Sequence, residues 1–498
     1  MGSTFHVENF GCRAARADGE AVSDRLRFSG LVERQPSLAD VVVVNTCSVT
    51  AEADRAARAF IRRTHRLNPT ARIVVTGCYA QRAPQELANL TGVAAVVGNS
   101  YKALAPEIIL SLSGSEPPHA GNGLVQLHAE TNLKRANSEQ LAPPQVAFGS
   151  ASYPVPRKRQ LAPPQVVWAD DAFAHSFLEG PQVVPGAQTR PNLKIQEGCG
   201  NRCTFCVIPF TRGPSKSLPG AAVLHQVEGF TAAGGNELVL SGINLGRWGR
   251  DFSVSHGAAP QTLASLVRNL FEQTSLPRLR LSSIEPMDWD AELIELMAEF
   301  GGKRLARHAH LPLQSGSDAV LRRMHRRYRP WHYADKVQAL VHAAGTELTL
   351  GADVMVGFPG ETDAEFAETV ALIEALPFGY LHLFPFSPRP GTPGWALHTE
   401  RPVPAEAVEE RMKALRTLAA QRSKTHRRCF VGSELDAITL HTPPEAEARG
   451  RTIALSENFL PIEIEDRIEA NRLVRLRVTG MNAEGTLEAS ISRAIFPR

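Results

Sequence analysis

Short runs of apolar, mostly β-branched residues alternate with amphipathic stretches in the first part of the chain. Thr4–Phe10, Val41–Val44 and Ile73–Val75 have the pattern of strands, and a helix is predicted from about Ala51 to Leu67. Short apolar strands separated by helices are typical of a parallel sheet that is buried on both faces. The sequence therefore predicts an N-terminal parallel α/β domain over residues 1–110.

The pattern is lost between residues 111 and 190, which are rich in Gly, Pro, Ser and Ala. The heptapeptide Gln-Leu-Ala-Pro-Pro-Gln-Val occurs there twice, at 140–146 and 160–166. Proline at this density opposes both helix and sheet. We therefore expect residues 111–190 to be a partly disordered linker of polyproline character, without chemistry of its own.

Alternation returns over residues 191–429, and six stretches there have the pattern of strands separated by helices. Such a series predicts an open (β/α)6 barrel with its active site at the carboxyl ends of the strands. The strand candidates are Leu193–Gln196, Glu237–Ser241, Arg278–Ser282, His308–Leu313, Thr349–Val354 and His382–Phe386. Residues 430–498 change to short alternating strands with a hairpin turn at Asn482–Gly485, which predicts a small C-terminal β-barrel.

The composition bears on the number of domains, on the kind of surface that could bind nucleic acid and on the location of the protein. The 498 residues are enough for two to four domains. The 54 Lys and Arg residues nearly balance the 51 Asp and Glu residues, so a nucleic-acid surface would have to be a local patch. We find no membrane-spanning apolar run and no signal-peptide pattern. Only 7 cysteines occur in the chain, which favours a reducing, cytoplasmic location.

Cys199, Cys203 and Cys206 form the most informative cluster of residues. Thiolates select soft metal centres, but no fourth Cys or paired His follows at the distance of a structural zinc site. A cubic iron–sulfur cluster normally takes four cysteines, so three would leave one iron open to a small chelating molecule. A zinc knuckle and three unrelated buried thiols are the alternatives.

A second set of cysteines, Cys12, Cys47 and Cys78, is spread widely through the N-terminal domain. Each cysteine directly follows a predicted strand and has polar or small neighbours. Because parallel strands present their carboxyl ends at one edge of the sheet, these thiols could converge on a second metal site. The alternative is that they are small buried residues. Cys429 follows a basic run, and we expect no role for it.

The spacing of the Cys199 cluster, with Phe205 before its last cysteine, resembles the signature of radical S-adenosylmethionine (SAM) enzymes. Other segments resemble the methylthiotransferases among them, and in particular the MtaB branch, which modifies N6-threonylcarbamoyladenosine in tRNA. These segments are Asn45–Thr50, Ile73–Gln81, Leu240–Gly246, Ser282–Pro286, His310–Ser317, Ala352–Thr362 and Phe384–Thr392. The resemblance covers nearly the whole chain apart from the linker.

This resemblance implies an enzyme that adds a methylthio group to C2 of the modified adenosine next to the anticodon. Cys199, Cys203 and Cys206 would hold the [4Fe–4S] cluster that binds and cleaves SAM, and Cys12, Cys47 and Cys78 a second [4Fe–4S] cluster. The implied SAM contacts are Gly234, Gly235, Glu237, Ser283, Glu285, Gln314 and Asp353. The implied partners are tRNA, a sulfur source and an electron donor such as flavodoxin or ferredoxin, and the expected state is a monomer.

The C-terminal segment resembles the TRAM domain, an RNA-binding barrel. Basic residues on the predicted helix from Arg55 to Arg66, and in the runs 322–329 and 411–428, would add contacts to RNA phosphates. Residues 430–498 contain no cysteine, so we expect their removal to spare both cysteine sets. Because the segment resembles an RNA-binding domain, we expect its removal to weaken tRNA binding.

The chain departs from the family pattern at three positions. Ala15 and Arg16 replace an Asn and a Gln, and Asn244 replaces a His. We expect none of these residues to touch a thiolate, but they bear on the choice of substrate.

Three other functions stay open at this point. A sister branch of the family would modify a ribosomal protein instead of tRNA. A non-catalytic iron–sulfur sensor would bind RNA without cleaving SAM. A metal-dependent barrel hydrolase could use His308, His310 and Asp353, although residues that line a barrel mouth need no metal to explain them.

Overall fold

The computed structural model describes residues 3–113, 166–177, 183, 185, 189–253 and 261–494. Both copies of the heptapeptide repeat lie outside these residues, except for Val166 at the end of the second copy. The expectation of a polyproline linker therefore concerns residues that the structure does not describe.

The N-terminal domain is a parallel sheet of six strands in the order β2-β1-β3-β4-β5-β6. The strands are β1 (Thr4–Asn9), β2 (Val32–Glu33), β3 (Val41–Thr46), β4 (Arg72–Gly77), β5 (Val93–Gly98) and β6 (Val166–Trp168). The helices are α1 (Arg13–Phe28), α2 (Ala51–Leu67), α3 (Cys78–Arg82), α4 (Pro84–Ala88) and α5 (Ala105–Ser113), with a 3₁₀ turn over Asn99–Leu104. The prediction of a parallel α/β domain is confirmed.

The centre of this sheet forms where the sequence is most apolar. Every residue of β3 is buried, because helices cover both faces of the strand. Helix α2 has the bounds that the sequence predicted, and Thr50 caps its N-terminus by accepting a hydrogen bond from Ala53 N–H at 3.2 Å.

Strand β6 lies within the segment that we assigned to the linker, and it pairs in parallel with β5. The residues after β6 are also packed. Phe173 is buried, Asp170 O accepts a hydrogen bond from Gln81 Nε2 at 2.8 Å, and Ser176 Oγ accepts one from Lys216 Nζ at 3.0 Å. Residues 166–177 therefore belong to the folded body, and the predicted linker was too long at its C-terminal end.

The central region contains all six predicted strands and one additional short strand. These strands are β7 (Asn192–Glu197), β8 (Lys216–Ser217), β9 (Glu237–Gly242), β10 (Arg278–Leu281), β11 (His308–His310), β12 (Thr349–Val356) and β13 (Phe378–Pro385). The helices are α6 (Ile208–Arg212), α7 (Gly220–Ala232), α8 (Leu263–Gln273), α9 (Ala291–Phe300), α10 (Asp318–Arg323), α11 (Pro330–Ala344), α12 (Asp363–Ala375), α13 (Pro393–Glu400) and α14 (Ala405–Arg428). Short 3₁₀ turns cover Leu245–Arg247 and Pro286–Asp288.

The parallel strands of this region run in the order β7-β9-β10 and β11-β12-β13. The hydrogen bond from Ile284 N–H to His310 O, at 3.0 Å, joins the two groups of strands. No ladder between β13 and β7 occurs among the described residues, so the barrel is open on that side. Helix α1 of the N-terminal domain packs against β7 and β9. The predicted open (β/α)6 barrel is confirmed.

The C-terminal domain is a closed barrel of five strands in the order β14-β15-β16-β18-β17. Its elements are β14 (Glu434–Thr439), α15 (Pro444–Ala448), β15 (Thr452–Ser456), β16 (Pro461–Ile464), β17 (Leu473–Met481) and β18 (Leu487–Ala494). The predicted turn between β17 and β18 is present. Asn482 N–H donates to Thr486 O at 2.9 Å, and Gly485 takes the left-handed conformation at φ 87°.

This small barrel covers the amino ends of the central strands. Glu457 accepts hydrogen bonds from Arg307 N–H and Nε, at 2.9 and 2.8 Å, just before β11 begins. Asn458 Nδ2 donates to Glu347 O at 2.9 Å, just before β12 begins. The C-terminal domain thus closes the end of the central barrel that lies opposite the strands' carboxyl ends.

Candidate functional site

The three N-terminal cysteines lie at the carboxyl ends of neighbouring strands. Cys12 is the N-cap of α1 after β1, Cys47 directly follows β3, and Cys78 begins α3 after β4. Burial raises the pKa of the Cys47 thiol to about 12, and the nearby Cys78 and Cys12 add to this effect. The structure therefore brings together three cysteines that the sequence separates.

Two glycines make this convergence possible. Gly11 has φ 116°, and a Cβ at this position would lie 2.8 Å from the Cys47 Sγ. Gly77 has φ 97°, and its Cβ would lie 2.3 Å from the Thr46 carbonyl oxygen. Both residues must be glycine, because any side chain would clash and the backbone conformation disfavours L-residues.

The second set of cysteines occupies the loop after β7. Cys199, Cys203 and Cys206 are all partly buried. Burial raises the pKa of the Cys206 thiol to about 12, with further contributions from Cys203 and Cys199. Gly198 allows the chain to turn into this loop, since a Cβ there would lie 2.0 Å from the Pro214 carbonyl oxygen.

Nitrogen donors point at the sulfur atoms of both sets. Such N–H···S contacts stabilise thiolates and are one of the means by which proteins tune iron–sulfur clusters. The donors are Val49 N–H to Cys47 (3.5 Å), Arg212 Nε and Asn99 Nδ2 to Cys78 (3.2 and 3.4 Å), Asn201 N–H and Asn244 Nδ2 to Cys199 (3.5 and 3.6 Å), Arg326 Nη1 to Cys203 (3.2 Å) and Ile208 N–H to Cys206 (3.4 Å).

Each set offers three thiol ligands, and thiolates are the donors that soft metal centres select. Among the described residues, the ligand atoms of His310, Asp353 and His382 also lie within 4.8 Å of one another.

Several residues predicted to bind SAM lie near the Cys199 loop. Ser283 and Glu285 follow β10, and Glu285 is ion-paired with Arg326, the residue that donates to Cys203. Gln314 follows β11 in the left-handed conformation, at φ 62°, and its Oε1 is buried without a hydrogen-bond partner in the described chain. These side chains lie at the carboxyl ends of the barrel strands.

Comparisons with known proteins agree with this arrangement. Residues 4–98 match an uncharacterized protein family, UPF0004, and residues 193–373 match the radical SAM superfamily. The chain is 31% identical to the threonylcarbamoyladenosine tRNA methylthiotransferase MtaB of Bacillus subtilis, over 96% of this chain and 94% of that protein. It is 32% identical to the protein of the same name from Aquifex aeolicus, over 95% and 99%.

The chain belongs to the methylthiotransferase family of radical SAM enzymes. The family resemblance inferred from the sequence is therefore confirmed, and the protein is an enzyme of this type. The chain is also 30% identical to a tRNA-2-methylthio-N(6)-dimethylallyladenosine synthase from Parafrankia, over 97% of this chain and 85% of that protein. None of the described helices in this methylthiotransferase is long and apolar enough to cross a membrane.

The structure corrects one statement about the departures from the family pattern. We expected Asn244 to touch no thiolate, but its Nδ2 lies 3.6 Å from the Cys199 Sγ. Its backbone N–H donates to Gln196 Oε1 at 2.7 Å, which fixes the turn after β9. In this methylthiotransferase, Asn244 therefore supplies one of the donors to the Cys199 loop.

The structure does not bring Gly234, Gly235 and Glu237 to the cysteines. They precede or begin β9, so they lie at the amino end of a strand whose carboxyl end faces the Cys199 loop. Gly234 O accepts a hydrogen bond from Asn471 of the C-terminal barrel at 2.9 Å. The prediction that these three residues bind SAM was wrong, because they lie at the amino end of β9, whereas the cysteines lie at the carboxyl ends of the strands.

Glu237 instead forms a buried ion cluster. It pairs with Arg280 at 2.8 Å, with Arg190 at 3.4 Å and with Arg278 at 3.5 Å. Burial alone would raise the pKa of this carboxyl, but the three guanidinium groups outweigh it and lower the pKa to about 2. Glu237 is therefore ionised and structural.

Asp353 lies inside the barrel beside two imidazoles. Its Oδ1 is 3.4 Å from His310 Nε2 and 3.3 Å from His382 Nδ1. His308 is not part of this group, because its Nε2 forms a hydrogen bond with the Tyr380 hydroxyl at 2.8 Å. The hydrolase arrangement of His308, His310 and Asp353 is thus not assembled.

A buried charge network between the domains was missed by the sequence reasoning. Lys102, Lys194 and Arg212 surround Asp18 of α1 and Glu197 of β7, and all five side chains are almost fully buried. Burial would raise the pKa of Asp18, but the three cations outweigh it and lower the pKa. A lysine within the apolar stretch of β7 was the signal that could have indicated this network.

The structure also restricts the predicted basic surface. Arg326 and Arg411 are buried, Arg326 against Glu285 and Arg411 against Glu361, so neither is available to RNA. On α2, Arg55, Arg62 and Arg66 are exposed and form no ion pair with another described residue. These three arginines lie at helical spacing on one face of α2. Of the three predicted basic segments, α2 is therefore better supported as a phosphate-binding surface than the runs 322–329 and 411–428.

Proposed function

We propose that this methylthiotransferase acts on tRNA and adds a methylthio group to C2 of N6-threonylcarbamoyladenosine next to the anticodon. The observation that carries the proposal is the meeting of the two cysteine sets across one interface. Arg212 donates to Cys78 Sγ at 3.2 Å and pairs with Glu197 at 2.6 Å, two residues before Cys199. The names of the relatives from Bacillus subtilis and Aquifex aeolicus supply the substrate.

In this proposal, Cys199, Cys203 and Cys206 would hold a [4Fe–4S] cluster that leaves an iron for SAM, and Cys12, Cys47 and Cys78 would hold a second [4Fe–4S] cluster. Both sets fit such groups by their thiol donor atoms and by the nitrogen donors that point at the sulfur atoms. When bound, these cofactors supply a carbon radical that can attack an inert aromatic C–H bond, and the sulfur that replaces the hydrogen.

The protein's own residues would position and shield the reacting groups. Arg326, held by Glu285, and Asn244 direct donors at the Cys199 loop. The N-terminal domain packs against β7 and β9 of the barrel, through the charge network of Asp18 and Glu197, and would limit the access of water to the interior. Ser283, Gln314 and Asp353 remain candidates for SAM contacts.

The outer surfaces would receive the RNA. The exposed arginines of α2 would contact phosphates, and the C-terminal barrel, which resembles a TRAM domain, would add a nucleic-acid platform. We further propose a cytoplasmic, monomeric enzyme that depends on an external electron donor, such as flavodoxin or ferredoxin, and on a sulfur source.

The cofactor assignment is tested by anaerobic reconstitution of three proteins. These are the Cys199/Cys203/Cys206 triple Ala variant, the Cys12/Cys47/Cys78 triple Ala variant, and Cys429→Ala as a matched control. We expect each triple variant to lose about half of the bound iron, the control to lose none, and only the first variant to lose formation of 5′-deoxyadenosine from SAM. SAM cleavage by the first variant would overturn the assignment.

The substrate is tested by nucleoside analysis of tRNA from a deletion strain. We expect loss of the methylthio form of threonylcarbamoyladenosine and its return on complementation. Loss of a methylthio group from a ribosomal protein, or from dimethylallyladenosine in tRNA, would transfer the function to that substrate. A protein that binds RNA and iron but never forms 5′-deoxyadenosine would be a sensor.

A further inference from the structure

The interior of the central barrel contains an aromatic cluster whose rings the proposed cysteine chemistry does not use. It consists of His308, His310, Tyr380 and His382, and Phe459 of the C-terminal barrel packs against it; we call these five residues the barrel floor. The ring of Phe459 lies 4.3 Å from that of His308 and 5.5 Å from that of Tyr380, measured between centroids. His310 and His382 each have their ring centroid within 5.8 Å of Tyr380.

Two guanidinium groups lie over the Phe459 ring. The Cζ of Arg13 is 5.6 Å from the ring centroid, and the Cζ of Arg280 is 5.4 Å from it. Arg13 comes from the N-terminal domain and directly follows Cys12. Three elements from three domains therefore meet here: the start of α1, strand β10 and the turn after β15.

Positive charge is in excess around the barrel floor. Arg190, Arg278 and Arg280 share the single carboxylate of Glu237, and Arg280 Nη1 is buried without a hydrogen-bond partner in the described chain. Arg13 is exposed and forms no hydrogen bond or ion pair with any described residue, so its guanidinium is open to a ligand. The other acid of this region, Asp353, contacts the imidazoles of His310 and His382.

Buried cations are stable only when an anion or several acceptors compensate them. The excess therefore points to a ligand that brings negative charge into the barrel. SAM does not meet this need, because its sulfonium and ammonium groups outweigh its one carboxylate. A planar guanidinium such as that of Arg13 matches a carboxylate with two parallel hydrogen bonds.

We infer that Arg13 binds the carboxylate of the substrate's threonylcarbamoyl group, and that the barrel floor selects an anionic N6 substituent over an apolar one. This inference rests on the proposed function. Arg13 is suited to the role because its neighbour Cys12 would hold the second cluster, so the base that receives sulfur lies close to it. A dimethylallyl group offers neither charge nor hydrogen-bond acceptor to Arg13, so it would gain nothing from this contact.

The test compares three anticodon stem-loop RNAs of one sequence on the reconstituted enzyme. One carries threonylcarbamoyladenosine, the second its methyl ester, which removes only the negative charge, and the third dimethylallyladenosine. Binding is measured anaerobically by fluorescence anisotropy, and methylthiolation and 5′-deoxyadenosine are measured separately. The variants are Arg13→Gln and Arg13→Lys, with Arg27→Gln as the control, since Arg27 is exposed in the last turn of the same helix and pairs with Asp24 and Glu33.

We expect the wild-type enzyme to prefer the acid over the ester by about 10-fold in affinity, as for a hydrogen bond between charged groups. Arg13→Gln should lose that preference and keep its affinity for the ester, Arg13→Lys should keep part of the preference, and Arg27→Gln should resemble the wild type. Retention of the full preference by Arg13→Gln would overturn the inference.

The wild-type comparison remains decisive if Arg13→Gln does not fold. Equal affinity of the wild-type enzyme for acid and ester would also overturn the role of Arg13, even while the acid is methylthiolated. If instead the wild-type enzyme methylthiolates only the dimethylallyl RNA, the proposed substrate fails. The two failures are therefore distinguishable.

Discussion

Replacement of Asp18 by Asn should destabilise the interface between the N-terminal domain and the central barrel. Asp18 accepts from Lys102 at 2.7 Å and from Arg212 at 3.1 Å, and it also pairs with Lys194. In the variant, these three cations keep only Glu197 as a buried anion. Removing one partner from a buried ionic group costs about 3–5 kcal/mol, since the remaining charges stay desolvated.

The network offers a contrasting variant and a matched control. Arg212→Gln leaves two lysines against two carboxylates, so its cost should be smaller than that of Asp18→Asn, although Cys78 loses a donor. Asp24→Asn makes the same chemical change on the same helix. Asp24 and its partner Arg27 are both more than two-fifths exposed, so about 0–1 kcal/mol is expected.

The assay is guanidinium denaturation of the metal-free, reduced proteins, combined with hydrogen exchange of the amides in α1 and β7. Asp18→Asn should lower the midpoint of unfolding and speed exchange at both elements together, whereas Asp24→Asn should do neither. A loss below about 1 kcal/mol for Asp18→Asn, or a larger loss for Arg212→Gln, would refute the view that the network is short of negative charge.

Three further predictions follow from the packing. Removal of residues 430–498 should weaken tRNA binding but leave SAM cleavage intact, because the C-terminal barrel covers the end of the central barrel opposite the cysteines; loss of SAM cleavage would contradict this. Deletion of residues 115–165 should leave iron content unchanged. A deletion that extends through residue 177 should reduce the yield of soluble protein, because β6 and the residues after it pack against the folded domains. Equal yields of the two deletion variants would count against this prediction. Burial lowers the pKa of His426 to about 4. Below about pH 6.5 the unfolded chain therefore binds a proton at this residue that the folded chain does not bind, so stability should fall between about pH 6.5 and 4. A thermal melt of His426→Gln should show a weaker pH dependence than that of the wild type.

The sequence alone determined the order and type of the main elements. The apolar stretches at Val41–Val44 and Ile73–Val75 had to be buried strands, and α2 was predicted with its observed bounds. Periodicity reports such features because burial acts on each element separately. The close spacing of Cys199, Cys203 and Cys206 likewise indicated a metal centre before any fold was known.

Only the tertiary structure decided which distant residues meet. The SAM role of Gly234, Gly235 and Glu237 failed because a motif does not state which end of its strand faces the site. Strand β6 was missed because three residues after a proline-rich stretch carry too little pattern. The charge network and the position of Arg13 above Phe459 depend on contacts between domains, which no local property of the chain records. Local physics fixes the elements, and long-range packing assembles the site.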